Sequence, residues 1–120
     1  MDDVLDPAVV ADLRRAQEAF ANPEFIRQLV DLFRASAPVK LDLVRQALAA
    51  GDALPVRDAA HALRSSCGML GASRMAGACG EMEEAASRAD LTAAAVALRE
   101  ADEQLPAVLE ALALLCSRGT

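Results

Sequence analysis

The chain has 120 residues and a net charge of −6, with 54% hydrophobic, 25% charged and only 2% aromatic residues. This length and composition predict one globular domain spanning residues 1–120 and argue against a disordered chain. An acidic chain without clustered Lys and Arg is a poor nucleic-acid binder, and no apolar run reaches the roughly 18 residues that a membrane span needs.

Residues that commonly begin or end helices divide the chain into five segments. Asp and Asn followed by Pro, or Asp and Thr before an apolar run, predict helix starts, and Gly predicts helix ends. The start signals are Asp6-Pro7, Asn22-Pro23 and either Asp90 or Thr92, and the end signals are Gly51 and Gly71. The predicted helices cover residues 7–20, 23–50, 53–70, 72–88 and 91–117.

Apolar residues at spacings of three and four mark one face of the longer segments. The stripe of the second segment is Phe25, Ile26, Leu29, Phe33, Ala37, Leu41, Val44 and Leu48. That of the fourth is Met75, Cys79, Met82 and Ala86, and that of the fifth is Leu91, Ala94, Leu98, Ala101, Leu105, Val108, Leu112 and Leu115. Because short connections make neighbouring helices antiparallel, the pattern predicts an all-α, antiparallel four-helix bundle with an additional short N-terminal helix.

Two prolines lie inside the longest predicted helices. Pro38 and Pro106 each remove a backbone hydrogen bond, which costs about 3 kcal/mol or more in a helix interior. Both stripes keep their phase across the proline, so we expect two kinked helices rather than four shorter ones.

The third segment carries the only histidine of the chain, His61. On a helix that turns about 100° per residue, with Leu63 at zero, His61 lies about 160° away. The residues within about 40° of Leu63 form the predicted buried face; they are Val56, Ala59, Cys67 and Leu70. Those that share the outer face with His61 are Leu54, Arg57, Asp58, Ser65 and Gly68, with Arg64 on the flank.

This outer face has properties that suit chemistry at an exposed imidazole. Neutral imidazole is a good nucleophile, since its unperturbed pKa is about 6.5. The charges of Arg57 and Arg64 disfavour the imidazolium and would stabilise a phosphoryl group. The small residues Ser65 and Gly68 would let a second protein close over His61. A solvated surface histidine with ordinary charged neighbours is the alternative interpretation.

The three cysteines, Cys67, Cys79 and Cys116, predict neither a metal site nor a catalytic Cys–His pair. They lack metal-ligand spacing, and Cys67 is predicted to face the core, away from His61. Their odd number and the acidic N-terminus, which does not resemble a signal peptide, indicate a reducing compartment and hence the cytoplasm. The glycines in residues 76–80 suggest close helix packing, because no G-x-x-x-x-G-K-[ST] phosphate loop is present.

The segment around His61 resembles the signature of histidine-containing phosphotransfer (HPt) domains. Residues 60–72 read A-H-A-L-R-S-S-C-G-M-L-G-A, close to the family pattern A-H-x-L-K-[GS]-[SA]-[SA]-x-x-L-G-A. Residues 78–83, A-C-G-E-M-E, resemble the family's C-x-x-[LM]-E stretch. The long helix with Ala37-Pro38 and the turn at residues 49–52 are also typical, so the resemblance covers nearly the whole chain.

The resemblance implies a four-helix bundle that carries a phosphoryl group on an exposed His61. Arg64 stands where Lys is commoner, Ser65 where many members have Gly, and Glu83 where some members place a Gln that hydrogen-bonds the histidine. A carboxylate there could orient the imidazole but would oppose a bound phosphate. The candidate site thus comprises His61 as phosphorylated residue, Arg64 and Arg57 as cations, and Leu54, Asp58, Ser65, Gly68 and Glu83 as docking residues.

The implied reaction is reversible phosphoryl transfer between His61 and aspartates of receiver domains. The chain would be a stoichiometric phosphocarrier rather than an enzyme, with no ATP site, metal or cofactor of its own, since Mg²⁺ would come from the receiver. Its partners would be response-regulator receivers and a hybrid sensor histidine kinase, and it would act as a monomer. Two alternatives remain: a phosphorylation-independent helical adaptor for receiver or kinase domains, and an inactive relative that binds receivers without accepting phosphate.

Overall fold

The computed structural model describes residues 3–118, and within this range the chain forms five α-helices. They are α1 (Pro7–Ala19), α2 (Phe25–Ala49), α3 (Ala53–Leu70), α4 (Ser73–Ser87) and α5 (Leu91–Arg118). The all-α prediction is confirmed, and every helix boundary lies within two residues of the predicted one. Within residues 3–118, no helix is long and apolar enough to cross a membrane.

Most of the predicted helix ends are confirmed by local hydrogen bonds and backbone angles. The Asp6 side chain accepts a hydrogen bond from the backbone N–H of Ala8 at 2.9 Å. Asp90, rather than Thr92, caps α5, because its carboxylate accepts from the N–H of Ala93 at 3.1 Å. Gly51 and Gly71 follow α2 and α3 with φ of +72° and +80°, in the left-handed region that favours glycine.

The predicted start of α2 at Asn22-Pro23 is wrong, because the helix begins two residues later, at Phe25. The Asn22 side chain instead accepts from the N–H of Glu24 at 3.1 Å, which closes a turn ahead of the helix. A free N–H in the first turn of α2, that of Ile26, donates to the side chain of Gln17 at 3.0 Å. The side chain of Gln17, and not that of Asn22 as predicted, therefore caps the first turn of α2.

Helices α2–α5 form the bundle. α2 and α4 each pack against both α3 and α5, so that α3 and α5 occupy diagonal corners. α5 has 28 residues, or roughly 42 Å of helix, and runs almost the whole 45 Å length of the molecule. The outer face of α3 therefore lies on the opposite side of the bundle from the outer face of α5.

The predicted stripes supply most of the core. All four residues of the α4 stripe are buried. Phe25, Leu29 and Leu48 of the α2 stripe, and Leu91 and Leu105 of the α5 stripe, are only partly buried. The α2 stripe also lacked Val30 and Ala47, which are buried. α2 and α5 each continue as a single helix through Pro38 and Pro106, as the unbroken stripes predicted.

The N-terminal helix α1 packs against α2 and α3. Its start is attached to the turn between α3 and α4, where the N–H of Asp6 donates to the carbonyl of Gly71 at 2.8 Å. Leu13 buries the apolar side of α1 in the core. The additional helix is thus held at the end of α3 that lies beyond His61.

Candidate functional site

His61 lies in the middle of α3 and faces solvent, as its position on the helix predicted. Its side chain is 66% exposed, while Val56 and Leu63 on the opposite side are buried in the bundle. His61 lies about halfway along an 18-residue helix, where helical hydrogen bonds on both sides keep its backbone rigid. The helix therefore fixes the point from which the imidazole extends into solvent.

Glu83 reaches this imidazole from the neighbouring helix α4. Its Oε2 lies 2.8 Å from Nδ1 of His61, and its Oε1 accepts a hydrogen bond from a guanidinium nitrogen of Arg64 at 3.0 Å. Only 21% of the Glu83 side chain is exposed, whereas His61 and Arg64 are mostly exposed. One carboxylate thus bridges the histidine and the arginine three residues after it.

The contacts of Glu83 keep its carboxylate ionised. Its partial burial opposes ionisation, but the hydrogen bonds from His61 and Arg64 outweigh this effect, so the pKa of Glu83 is lowered. An ionised carboxylate can only accept hydrogen bonds, so Nδ1 of His61 must carry the hydrogen that it donates to Glu83. In a neutral ring, Nε2 then holds the lone pair.

Nε2 is the atom available for reaction. Within residues 3–118 it has no hydrogen-bond partner, and it lies on the side of the ring away from Nδ1 and Glu83. The carboxylate on Nδ1 would also stabilise the positive charge that the ring acquires when Nε2 attacks an electrophile. The arrangement therefore favours a nucleophilic Nε2.

The two predicted cations are placed differently. Arg64 is joined to His61 through Glu83, whereas Arg57 lies beside Asp58, with 3.4 Å between a guanidinium nitrogen and Oδ1. Arg57, Asp58 and Arg64 are exposed, whereas Glu83 is partly buried. The structure therefore brings Arg64, but not Arg57, into the hydrogen-bonded group around His61.

The remaining predicted docking residues lie on the exposed face of α3. Leu54, Asp58, Ser65 and Gly68 are all exposed, and a Cβ added to Gly68 would meet no atom within 4 Å. Gly68 is thus not required by helix packing. The face beside His61 is open to a second protein.

Gly80 on α4 also shapes the site, although it was not among the predicted site residues. A Cβ at this position would lie 3.5 Å from Cδ of Arg64, so the arginine stem lies across this glycine on its way to Glu83. Close packing, predicted for both Gly77 and Gly80, is wrong for Gly77, because a Cβ there would meet nothing within 4 Å. The useful signal was the spacing, since Gly80 and Glu83 are three residues apart on one face of α4.

The cysteines take no part in this site. Cys67 and Cys79 are buried in the core, and Cys116 is half-buried. A hydrogen bond with Cys79, together with burial, raises the pKa of the Cys67 thiol, which makes its nucleophilic thiolate scarce. In the part of the chain that the structure describes, no three His, Cys, Asp or Glu side chains cluster as a metal ion would require.

Comparisons with known proteins agree with this geometry. The family model described as "Hpt domain" matches residues 28–114, well over half of the chain. The crystal structure of histidine-containing phosphotransfer protein B (HptB) from Pseudomonas aeruginosa PAO1 is similar, with a TM-score of 0.86 and 29% sequence identity over 98% of each chain. No curated protein sequence matches the chain. The shared fold agrees with the family match, which shows that the chain belongs to the Hpt family of histidine phosphotransfer proteins.

Proposed function

We propose that His61 accepts a phosphoryl group from an aspartyl phosphate on a receiver domain and passes it to a second receiver. The observation that carries this proposal is the hydrogen bond of 2.8 Å between Nδ1 of His61 and Glu83, which leaves the lone pair on Nε2 of a largely exposed ring. Family membership supports the same role and does not favour a phosphorylation-independent adaptor.

The transfer needs few groups from this chain. The lone pair of Nε2 attacks phosphorus, the N–P bond forms, and the P–O bond breaks so that the receiver aspartate leaves as a carboxylate. The hydrogen on Nδ1 stays in place, and the positive charge of the phosphorylated ring faces Glu83. Phosphoryl transfer of this kind depends mainly on positioning and charge stabilisation.

Arg64 supplies the local cation. In the unphosphorylated protein its guanidinium neutralises Glu83 at 3.0 Å. A phosphoryl group on Nε2 adds a second anion nearby, and the long, mostly exposed Arg64 side chain can turn one of its donors toward it. Glu83 then orients the ring while Arg64 compensates for the negative charge that a carboxylate brings to the site.

The proposal includes several further properties of the carrier. The chain acts as one domain over residues 1–120 and as a monomer in the cytoplasm, without ATP, metal or cofactor of its own. Its partners are response-regulator receivers, which contribute the aspartate and Mg²⁺, and a hybrid sensor histidine kinase. Leu54, Asp58, Ser65, Gly68 and Glu83 would lie under the docked receiver.

The test is phosphoryl transfer from receiver domains that have been phosphorylated with radiolabelled acetyl phosphate. We expect the wild-type protein to gain acid-labile, base-stable label, and His61→Gln to gain none. Because His61 lies opposite the core, His61→Gln should keep the circular dichroism spectrum and melting temperature of the wild type. Labelling of a folded His61→Gln protein would contradict the proposal.

A further inference from the structure

Exposed apolar side chains are distributed unevenly around His61. On α3, Leu54 and Met69 lie roughly two turns before and after it. On α2, the large exposed hydrophobic residues are Leu32, Val39 and Leu43, whereas the described residues of α4 include none. A partner that covers His61 would therefore meet apolar surface on the α2 side and not on the α4 side.

A groove of about 310 Å³ lies between α2 and α3 on this apolar side. Leu32, Ser36 and Lys40 line it from α2, and Ala62, Ser66 and Met69 line it from α3. Ala62 directly follows His61 in the chain. The groove is therefore continuous with the face that presents the imidazole.

Contact with the imidazole alone cannot hold a partner. Specific protein interfaces bury about 800 Å² on each side. A partner docked on His61 must therefore cover the neighbouring helix on at least one flank. Either the α2 flank or the α4 flank will be part of the interface.

Lys40, the only lysine of the chain, lies on the α2 flank, where it lines the groove. It is half-buried, and within residues 3–118 no carboxylate lies within 4.0 Å of its ammonium group. The arginines that precede and follow it on α2 are paired, Arg34 with Asp31 and Arg45 with Asp42 and Asp102. A cation at an apolar groove without an anion of its own is suited to a carboxylate from a partner.

The opposite flank has the wrong charge for an anionic partner. Two grooves between α4 and α5 on this side are lined by more carboxylates than cations: Arg74 and Arg88, the latter paired with Glu84 at 2.9 Å, lie among the exposed Glu81, Glu84, Glu100 and Glu103. An aspartyl phosphate brings two negative charges to His61, and juxtaposed like charges disfavour binding. Charge and apolar surface thus both select the α2 flank.

We propose, on the basis of the function proposed above, that the receiver docks across the α2–α3 groove with an apolar patch and a carboxylate that pairs with Lys40. Lys40 is then a specificity-determining residue. It favours receivers that carry an acidic residue at this point of the interface. It takes no part in the transfer step itself.

The test compares two variants with the same change in net charge, Lys40→Glu and Arg99→Glu. Arg99 is exposed on α5, on the far side of the bundle. The probe is a receiver domain, phosphorylated with radiolabelled acetyl phosphate, that labels the wild-type protein. We expect Lys40→Glu to raise the half-saturating receiver concentration about tenfold, with the rate at saturation changed less than about twofold. Lys40→Arg should restore the wild-type concentration, and Arg99→Glu should not alter it.

A second pair of variants tests the apolar part of the groove. Leu32 is 67% exposed on α2, and Leu114 is 52% exposed on α5, so both Leu→Ser variants should fold. Only Leu32→Ser should weaken receiver binding. Equal half-saturation for Lys40→Glu and Arg99→Glu, with normal transfer by the wild type, would overturn this inference alone. If none of the receiver domains that the organism encodes labels the wild-type protein, both the proposed function and this inference are contradicted.

Discussion

At the scale of single residues, the site depends on how one carboxylate is shared. Glu83 contacts both His61 and Arg64, and each contact has a different consequence. The contact with His61 selects the ring tautomer, whereas the contact with Arg64 balances the charge of the carboxylate. Loss of the contact with His61 should therefore affect transfer through the ring tautomer, and loss of the contact with Arg64 through the charge of the site.

We predict that Arg64→Ala slows phosphoryl transfer about tenfold or more, which corresponds to about 1.4 kcal/mol at the transition state. The variant loses a cation and leaves Glu83 uncompensated beside the incoming phosphoryl group. Arg57→Ala should have a smaller effect, since Arg57 lies against Asp58 and outside the hydrogen-bonded group. Single-turnover transfer rates measure both, with circular dichroism as the control for folding. Equal rates for Arg64→Ala and the wild type would show that Arg64 is an ordinary solvated residue.

We predict that Glu83→Gln transfers faster than Glu83→Ala, because the amide oxygen can still accept the hydrogen on Nδ1 of His61. Glu83→Ala leaves the ring free to rotate and to change tautomer, so transfer should fall about tenfold. Similar rates for the two variants would exclude an orienting role. Glu84→Gln removes the same charge one residue along α4, without contact to His61, and is the matched control.

The lowered pKa of Glu83 predicts how the stability of the protein depends on pH. In the unfolded chain the carboxyl titrates near its ordinary value of 4.5, and in the folded protein it titrates lower. The ionised form thus stabilises the folded state above pH 4.5, and this contribution is lost as the pH falls through the folded-state pKa. In urea titrations, the difference in unfolding free energy between wild type and Glu83→Gln should be about 1 kcal/mol or less at neutral pH and should shrink on acidification.

The exposure of His61 was predictable from the sequence, whereas its contact with Glu83 was not. The helical angle of His61 placed it opposite Leu63, so its exposure was predictable from one segment alone. The reach of Glu83 depends on the register and closeness of α3 and α4, which no spacing within either helix reports. Only the resemblance to a known family indicated that position 83 could contact the histidine.

At the scale of helices, the turn between α3 and α4 determines how the site is supported. Gly71 has φ of +80° and ends α3, and a Cβ there would lie 3.1 Å from Cβ of Val9 and 3.2 Å from the backbone nitrogen of Asp6. The same nitrogen donates to the Gly71 carbonyl at 2.8 Å. One glycine thus serves as helix end and as contact point for α1.

We predict that Gly71→Ala destabilises the fold more than Gly51→Ala does. Both glycines have positive φ, and a left-handed conformation costs an alanine about 1–2 kcal/mol. Only at position 71 does the new Cβ also press on Val9 and on the backbone of Asp6, whereas at Gly51 it meets nothing within 4 Å. Urea titrations should show the larger loss for Gly71→Ala. A loss equal to that of Gly51→Ala would mean that α1 moves aside without cost.

Helix boundaries were predictable where a cap acts locally and failed where it does not. Asp6, Asp90 and the two glycines satisfy backbone groups of their own helix, so their meaning can be read from a few residues. The start of α2 instead depends on Gln17, nine residues before the N–H of Ile26 that it accepts from. Such a long-range cap leaves no local pattern, and Asn22-Pro23 therefore predicted too early a start.

At the scale of the whole molecule, the core follows the regular repeat of the helices, whereas the surface is asymmetric. The periodicity of the stripes was sufficient to predict four packed helices, because burial follows the helical repeat. The surface has no such repeat. The groove beside Lys40 combines stripe residues, such as Leu29 and Phe33, with residues outside the stripes, such as Leu32 and Met69, and it depends on the side-by-side packing of α2 and α3.

The core itself can be probed through its thiols. Cys67 on α3 and Cys79 on α4 are fully buried, whereas Cys116 near the end of α5 is half-buried. A maleimide reagent can reach the first two only if α3 and α4 separate, which would also separate His61 from Glu83. Modification of these thiols therefore reports the opening of the part of the bundle that supports the site.

We predict that brief treatment of the native protein with N-ethylmaleimide adds one label, at Cys116, and that treatment in guanidinium chloride adds three. The reason is the burial of Cys67 and Cys79, together with the raised pKa of the Cys67 thiol, since the thiolate is the reactive form. Intact-protein mass spectrometry counts the labels, and Cys116→Ser should show none in the native state. Slow labelling of the buried pair should follow the rate of global unfolding as denaturant is added. Rapid native labelling of Cys67 or Cys79 would instead mean that α3 and α4 separate locally while the rest of the bundle stays folded.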